Sequence, residues 1–122
     1  MRTAAAAIFV AAAVTAWRAF PLRRYAVDGP SMEPAFHAGD RVLVNRWAYR
    51  AHAPAPGDVV VLRDPEHPRR HLIKRIDAPP DGVPLAPRTH YVLGDNAAMS
   101  RDSRHFGAVP RHAIIGRVWR RY

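Results

Sequence analysis

The sequence GDVVVLRDPEHPRRHLIKRI, residues 57–76, indicates the fold of this chain. It contains two short runs of apolar and β-branched residues, 58–63 and 72–76, on either side of a proline-containing loop. Runs of this length between turn-forming residues are typical of β-strands. Similar runs, separated by Gly, Pro, Asp and Asn, occupy 41–45, 91–93 and 114–119. We therefore predict a mostly β fold.

Length and composition narrow the possible classes of protein. The 122 residues are enough for one domain, and the 12 prolines discourage long helices in its middle. Cysteine is absent, which excludes disulfides, a thiol nucleophile and cysteine-ligated metal. The net charge of +9 indicates either an anionic partner or a solvated basic surface. The arginines are scattered and form no long basic helix, so we predict no nucleic-acid partner.

The N-terminal segment is the part of the chain most suited to a membrane. Residues 3–17 are uncharged and mostly apolar. This run is shorter than the ~20 residues of a standard span, but Arg18 can snorkel and 20–22 add apolar length. We predict a single-pass anchor over 1–22 and one folded domain over 23–122. A cleaved secretory signal is the alternative to an anchor. The charges that flank the apolar run, taken alone, favour an orientation with the following domain in the cytoplasm.

Lys74 stands out because it is the only lysine among 19 Lys and Arg residues. A lysine amine can be neutral near pH 7, whereas a guanidinium cannot, so this position suits a base. The alternative explanation is codon bias towards arginine, which would also leave few lysines in the chain. Strand alternation places Lys74 on one face with Leu72 and Ile76, and burial among such neighbours lowers a lysine pKa.

Ser31 is the candidate nucleophile. It lies in the sequence DGPSMEP, residues 28–34, where Gly and Pro fix an irregular backbone that can present a hydroxyl. A Ser-Lys pair is one known arrangement for activating serine. A turn serine that caps a nearby backbone group is the alternative.

Four ordered blocks resemble the signal peptidase I family of membrane-bound serine endopeptidases. They are Gly29-x-Ser31-Met32-x-Pro34 with Gly39-Asp40, Gly57 to Val61, Ile73 to Arg75, and Gly94-Asp95-Asn96 to Gly107. The resemblance implies a compact β catalytic domain of short antiparallel strands, preceded by one transmembrane helix. It also implies removal of signal peptides or pro-segments through an acyl-enzyme.

The resemblance also implies a role for each matching residue. Ser31 is the nucleophile and Lys74 the general base. Ser100 hydrogen-bonds and orients the lysine amine, and Asp102 and Arg104 form a structural ion pair below the site. We expect Ser103, Asp95 and Asn96 to organise the turn.

Two departures from the family pattern concern the oxyanion and the size of the domain. Some members carry a serine at the position of Gly29, and its hydroxyl helps bind the oxyanion. Gly29 cannot do so, which leaves the Ser31 amide, alone or with a backbone group or water. The short stretch 75–93 has no room for the large β domain that some members insert, so the chain resembles a minimal catalytic core.

These features together predict the partners and the location. The substrate is an exported preprotein or proprotein with small residues before the cleaved bond, bound in an extended conformation. The chain is expected in the cell membrane, in contact with anionic lipids, with its catalytic domain outside the cytoplasm. Met32, Pro34, Phe36 and Trp47 are candidates for apolar contact with membrane or substrate, or for the core.

Three other functions compete with this interpretation. Self-cleaving repressor domains share a Ser-Met loop and a strand lysine but begin with a DNA-binding domain. A dedicated maturation protease, similar to those that process nickel superoxide dismutase, has the same motifs. A non-catalytic basic module for membrane surfaces is the third, against which Ser31, Lys74 and Ser100 argue.

No metal or cofactor is predicted. His67 and His71 are spaced like a pair of ligands, but no third ligand is evident in the sequence. We interpret them, with His105, as surface histidines.

Overall fold

The computed structural model describes residues 20–122. Seven strands form one antiparallel sheet in the order β1-β2-β7-β3-β4-β5-β6. Short helices are confined to the C-terminal half of this part of the chain. The strands are β1 Leu22–Ala26, β2 Arg41–Asn45, β3 Val59–Arg63, β4 His71–Asp77, β5 Thr89–Leu93, β6 Val109–Pro110 and β7 Ile114–Arg121; the helices are 3-10 turns at Ala97–Met99 and Arg111–Ala113 and α1 Ser103–Phe106.

The prediction of a mostly β fold of short antiparallel strands is confirmed. All five predicted runs form strands, and the bounds of each of these five strands lie within a few residues of the predicted ones. Two further strands, β1 and β6, and the short helix α1 were not predicted.

Strand β3 lies at the centre of the core. Its first four residues are buried, because hydrophobic clusters cover both faces of the sheet at this strand. Alternation directs Val60 and Leu62 into one cluster and Val61 into the other. The first cluster contains Tyr49, Val60, Leu62, Ile76, Val92, Val109 and Ile114, and the second contains Val27, Val42, Val44 and Val61.

The sheet curls so that strands distant in its order approach each other. Three strands separate β1 from β4, yet the rings of Tyr25 and His71 lie 5.6 Å apart. Strand twist of constant hand produces curvature of this kind. The end of β1 therefore lies close to the start of β4, and the loop that follows β1 reaches the same region.

The predicted anchor over 1–22 falls almost entirely outside the described residues. Its last residue, Leu22, begins β1 and pairs with Asn45. Between Phe20 and the C-terminus, no helix is both long and apolar enough to cross a membrane.

Replacing Leu62 by Ala tests the central position of β3. Leu62 is fully buried, so we expect the free energy of unfolding to fall by about 3 kcal/mol, as when a core leucine leaves a cavity. Urea unfolding of the purified protein measures the change. Leu85→Ala is the control, because Leu85 is 39% exposed and its loss should cost far less. Equal effects of the two substitutions would contradict the described core.

Candidate active site

The loop after β1 holds Ser31 in a fixed backbone. Gly29 has a φ of +77°, in the left-handed region that favours glycine. The backbone amide of Asn96 donates to the Ser31 carbonyl over 2.9 Å. The side-chain amide of Asn96 donates to the Pro30 carbonyl over 3.1 Å. Both ends of one residue therefore tie the serine loop to the segment that follows β5.

Lys74 lies on β4 with only 3% of its surface exposed. It pairs with Val60 of β3, and Ile76 on the same strand face is buried as well. Burial is the main reason that the pKa of Lys74 is lowered, because an ammonium ion is poorly solvated there. Asp102 acts in the opposite direction, and Arg101 and Arg104 lower the pKa further.

Ser31 and Lys74 line the same cavity, which has a volume of about 670 Å³. Gly29 also lines it. The cavity lies where the curled sheet brings the end of β1 near the start of β4. Strand β4 pairs with β5 only from Arg75 to Asp77, so on that side its first four residues have no strand partner within 20–122.

Asp102 is the centre of the hydrogen-bond network below the cavity. It is fully buried and accepts hydrogen bonds from the Gly94 amide, the Ser100 hydroxyl and Arg104. Burial by itself would raise the pKa of Asp102, but these hydrogen bonds lower it well below its ordinary value. The predicted Asp102–Arg104 ion pair is present, with Nη2 and Oδ2 2.9 Å apart.

Ser100 has a different hydrogen-bond partner from the one predicted. Its hydroxyl donates to Oδ2 of Asp102 over 2.8 Å, and the Lys74 amine makes no hydrogen bond to any residue of the described part. Because the hydroxyl proton is directed at a carboxylate, only the lone pairs of the oxygen remain for other groups.

The turn residues contact the framework as expected. Asp95 forms a two-bonded ion pair with Arg75, at 2.9 and 2.8 Å, and Ser103 accepts a hydrogen bond from the Val92 amide. These contacts hold the segment after β5 against β4 and α1. The turn that carries Asn96 is thereby fixed relative to the serine loop.

Sequence reasoning missed a second ion pair beside the cavity, between Asp64 and Arg101. Asp64 is 1% exposed, and both residues line the cavity. Arg101 lies between two residues of the last sequence block, Ser100 and Asp102, but its partner follows β3. A charged residue directly after a buried strand was the only available signal.

The remaining candidates divide between core and surface. Met32 is fully buried, Phe36 packs against the second cluster, and Pro34 and Trp47 are exposed. His105 accepts a hydrogen bond from the Asp102 amide as part of the N-cap of α1. No group of three metal-binding side chains occurs in the described region.

Comparison with known proteins identifies the family. Residues 1–86 and 80–122 match the family described as signal peptidase, peptidase S26. The chain belongs to this family. The sequence blocks that suggested it are the serine loop, β3, β4 and the segment from Gly94 to Gly107.

Relatives in the signal peptidase family come from organelles and bacteria. Mitochondrial ATP-independent inner membrane protease subunit 1b of Arabidopsis thaliana is 38% identical over 110 residues, which cover 75% of this chain and 65% of that protein. Mitochondrial inner membrane protease subunit 1 of Schizosaccharomyces pombe is 34% identical over a region that covers 75% of this chain and 70% of that protein. Signal peptidase I V of Bacillus subtilis is 27% identical over a region that covers 75% of this chain and 80% of that protein.

Replacing Gly94 by Ala tests the close packing of the two serines. An added Cβ would overlap the Ser100 hydroxyl and lie 2.8 Å from the Ser31 carbonyl oxygen. We expect the free energy of unfolding to fall by about 1–3 kcal/mol, as in other overpacked sites. Urea unfolding measures the loss.

The double variant Gly94→Ala/Ser100→Gly is the matched control. Removing the Ser100 side chain frees most of the space that the new methyl group needs. The double variant should therefore lose less stability than the sum of the two single losses. If the two single losses of unfolding free energy simply add in the double variant, or if Gly94→Ala is as stable as the original protein, the packing around Gly94 is looser than described.

Proposed function

We propose that this chain is a membrane-bound serine endopeptidase that removes signal peptides or pro-segments from exported preproteins. The observation that carries the proposal is the position of Lys74. Its amine is buried in the wall of the cavity that Ser31 also lines. A desolvated amine beside a serine is the combination that a Ser-Lys mechanism requires.

In the proposed acylation, the Ser31 hydroxyl attacks the carbonyl carbon of the scissile peptide bond. Neutral Lys74 accepts the hydroxyl proton and then transfers it to the departing amine. The Ser31 amide donates to the oxyanion that forms. Gly29 contributes no side chain to that oxyanion, but its left-handed conformation supports the loop that positions the amide.

In the proposed deacylation, Lys74 takes a proton from water, whose oxygen attacks the acyl carbon. The ester bond to Ser31 then breaks, and Lys74 returns the proton to the Ser31 oxygen. Ser100 supports both steps as an acceptor, since its own proton is donated to Asp102. An acceptor attracts an N–H bond of the amine and leaves the nitrogen lone pair for Ser31 or water. Asp102, buried and bound by Arg104, holds Ser100 in this role.

We propose that the substrate binds extended between two strand edges. Strand β1 forms one edge of the sheet, and the first half of β4 has an open side at the cavity. A peptide between them can hydrogen-bond to both backbones, as in other complexes that add a strand. Val27, Met32 and Ile73 give the cavity apolar walls suited to small side chains.

We place the bilayer against the face built by β1, β2 and β7. None of these strands contains an acidic residue, and together they carry six arginines. Trp119 is 59% exposed there, and aromatic and cationic side chains suit the surface of an anionic membrane. Since β1 follows the predicted anchor directly, this placement agrees with a single-pass protein, and we propose that its catalytic domain lies outside the cytoplasm.

Replacing the dyad residues tests the proposed chemistry. We expect Ser31→Ala and Lys74→Arg each to lower kcat/KM by at least about a thousandfold, since neither alanine nor a permanent cation can replace the lost group. Cleavage of a preprotein by the full chain in liposomes is the assay. Thr89→Ala is the control, because the Thr89 hydroxyl bonds only to a nearby turn carbonyl, and it should retain activity. A Lys74→Arg variant with nearly full turnover would refute the neutral-amine mechanism.

The pH dependence of cleavage should follow the ionisation of Lys74. Only the neutral amine can act as the base, so kcat/KM should rise with pH and level off above the Lys74 pKa. Because that pKa is lowered, the rise should be complete below the pH at which an ordinary lysine deprotonates. A rise centred on the ordinary lysine value would contradict the described burial.

A further inference from the structure

Asp64 is a buried carboxylate that the proposed chemistry does not use. It directly follows β3, and its backbone amide donates to the Arg70 carbonyl over 2.9 Å, which extends the β3–β4 pairing by one step. Its Oδ1 accepts hydrogen bonds from the amides of Glu66 and His67, at 2.9 and 3.3 Å. The carboxylate is therefore held in one position by the loop that joins the two strands.

Arg101 reaches Asp64 from the segment that follows β5. Its guanidinium bonds to Oδ2 of Asp64 and, over 2.8 Å, to Glu66. It also lies 5.5 Å from the centre of the Phe106 ring. These contacts fix the side chain between the β3–β4 loop and the segment that carries Ser100 and Asp102.

Both residues act electrostatically on Lys74, with opposite signs. Arg101 lowers the pKa of the lysine and Asp64 raises it, beside the larger effects of burial and Asp102. Asp64 itself is kept ionised: burial raises its pKa, but the Glu66 amide and Arg101 more than offset this. The charged and titratable groups that line the cavity or act on the amine are Asp28 from the serine loop, Asp64 and Arg70 from the β3–β4 loop, His71 from β4, and Arg101, Asp102 and Arg104 from the last block.

We propose that Asp64 and Arg101 form a positioning pair for Lys74, in which the two opposite charges offset each other at the base. Their arrangement repeats that of Asp102 and Arg104. Asp64 and Asp102 would each stabilise an ammonium ion at Lys74, and the arginine bound to each carboxylate weakens that effect. The pair also joins the β3–β4 loop to the Ser100 segment at the cavity.

The single lysine of the chain allows a direct test by NMR. Lysine labelled with carbon-13 at Cε gives one side-chain signal in the full chain, and its titration reports the Lys74 pKa. The variants are Asp64→Asn, Arg101→Met and the double substitution, each in detergent micelles. Asparagine keeps the oxygen acceptor of Asp64, and methionine keeps the apolar contact of Arg101 with Phe106.

The expected shifts have opposite signs. Asp64→Asn leaves the positive charge of Arg101 without its carboxylate partner, so the Lys74 pKa should fall. Arg101→Met leaves the buried carboxylate unopposed, so the Lys74 pKa should rise, and each unit of rise lowers the neutral fraction near pH 7 about tenfold. The double variant should return close to the original value. Arg121→Met is the matched control, because it breaks a surface pair with Asp40 outside the cavity and should leave the titration unchanged.

Shifts of the same sign, or no shift in either single variant, would overturn the proposal. A purely structural pair would give equal losses of stability without opposite movements of the lysine signal. If Arg101→Met fails to fold by circular dichroism, Arg101→Gln takes its place, and Asp64→Asn alone still tests the sign.

The reason for positioning a base rests on the proposed peptidase function, but the NMR titration does not require cleavage. An inactive original protein with the expected shifts would refute only the peptidase. An active protein without the shifts would refute only the pair. In an active enzyme, the pH profile of kcat/KM should move with the NMR titration in every variant.

Discussion

In the proposed mechanism a buried amine must remain neutral next to carboxylates, and this constraint bears on the charged groups around Lys74. Burial disfavours the ammonium form, whereas a nearby carboxylate favours it. The fold keeps both burial and carboxylates by binding each acid to an arginine. Asp102 is bound by Arg104 and Asp64 by Arg101. The abundance of arginine in the chain therefore has a local use at the site.

The network around Asp102 links the segment that carries Ser100 to the loop that carries Ser31. The carboxylate binds the Gly94 amide, and Gly94 packs against both Ser100 and the Ser31 carbonyl. Asn96, two residues further on, bonds to the serine loop. Backbone contacts, rather than a direct bond between side chains, thus set the position of Ser31 relative to the lysine wall. A site held in this way changes little when a single surface side chain changes.

Most of the sheet could be predicted from the sequence, because its central strands are short apolar runs between turn residues. Strand β1 was missed since Arg23 and Arg24 interrupt its pattern at the sheet edge, and β6 since it has only two residues, one of them proline. The dyad candidates followed from motif and composition. The Asp64–Arg101 pair joins residues 37 positions apart, and the order of β3, β4 and β5 in the sheet brings them together. The direction of the Ser100 proton depends on that same three-dimensional arrangement.

The open strand edges at the cavity also affect the solubility of the protein. An exposed edge can pair with any extended chain, including another copy of the same protein, and such pairing leads to aggregation. The two adjacent arginines of β1 oppose this, because like charges on two approaching copies repel each other. A peptide that is neutral or acidic meets no such barrier. The edge can thus accept a foreign strand and still discourage self-association.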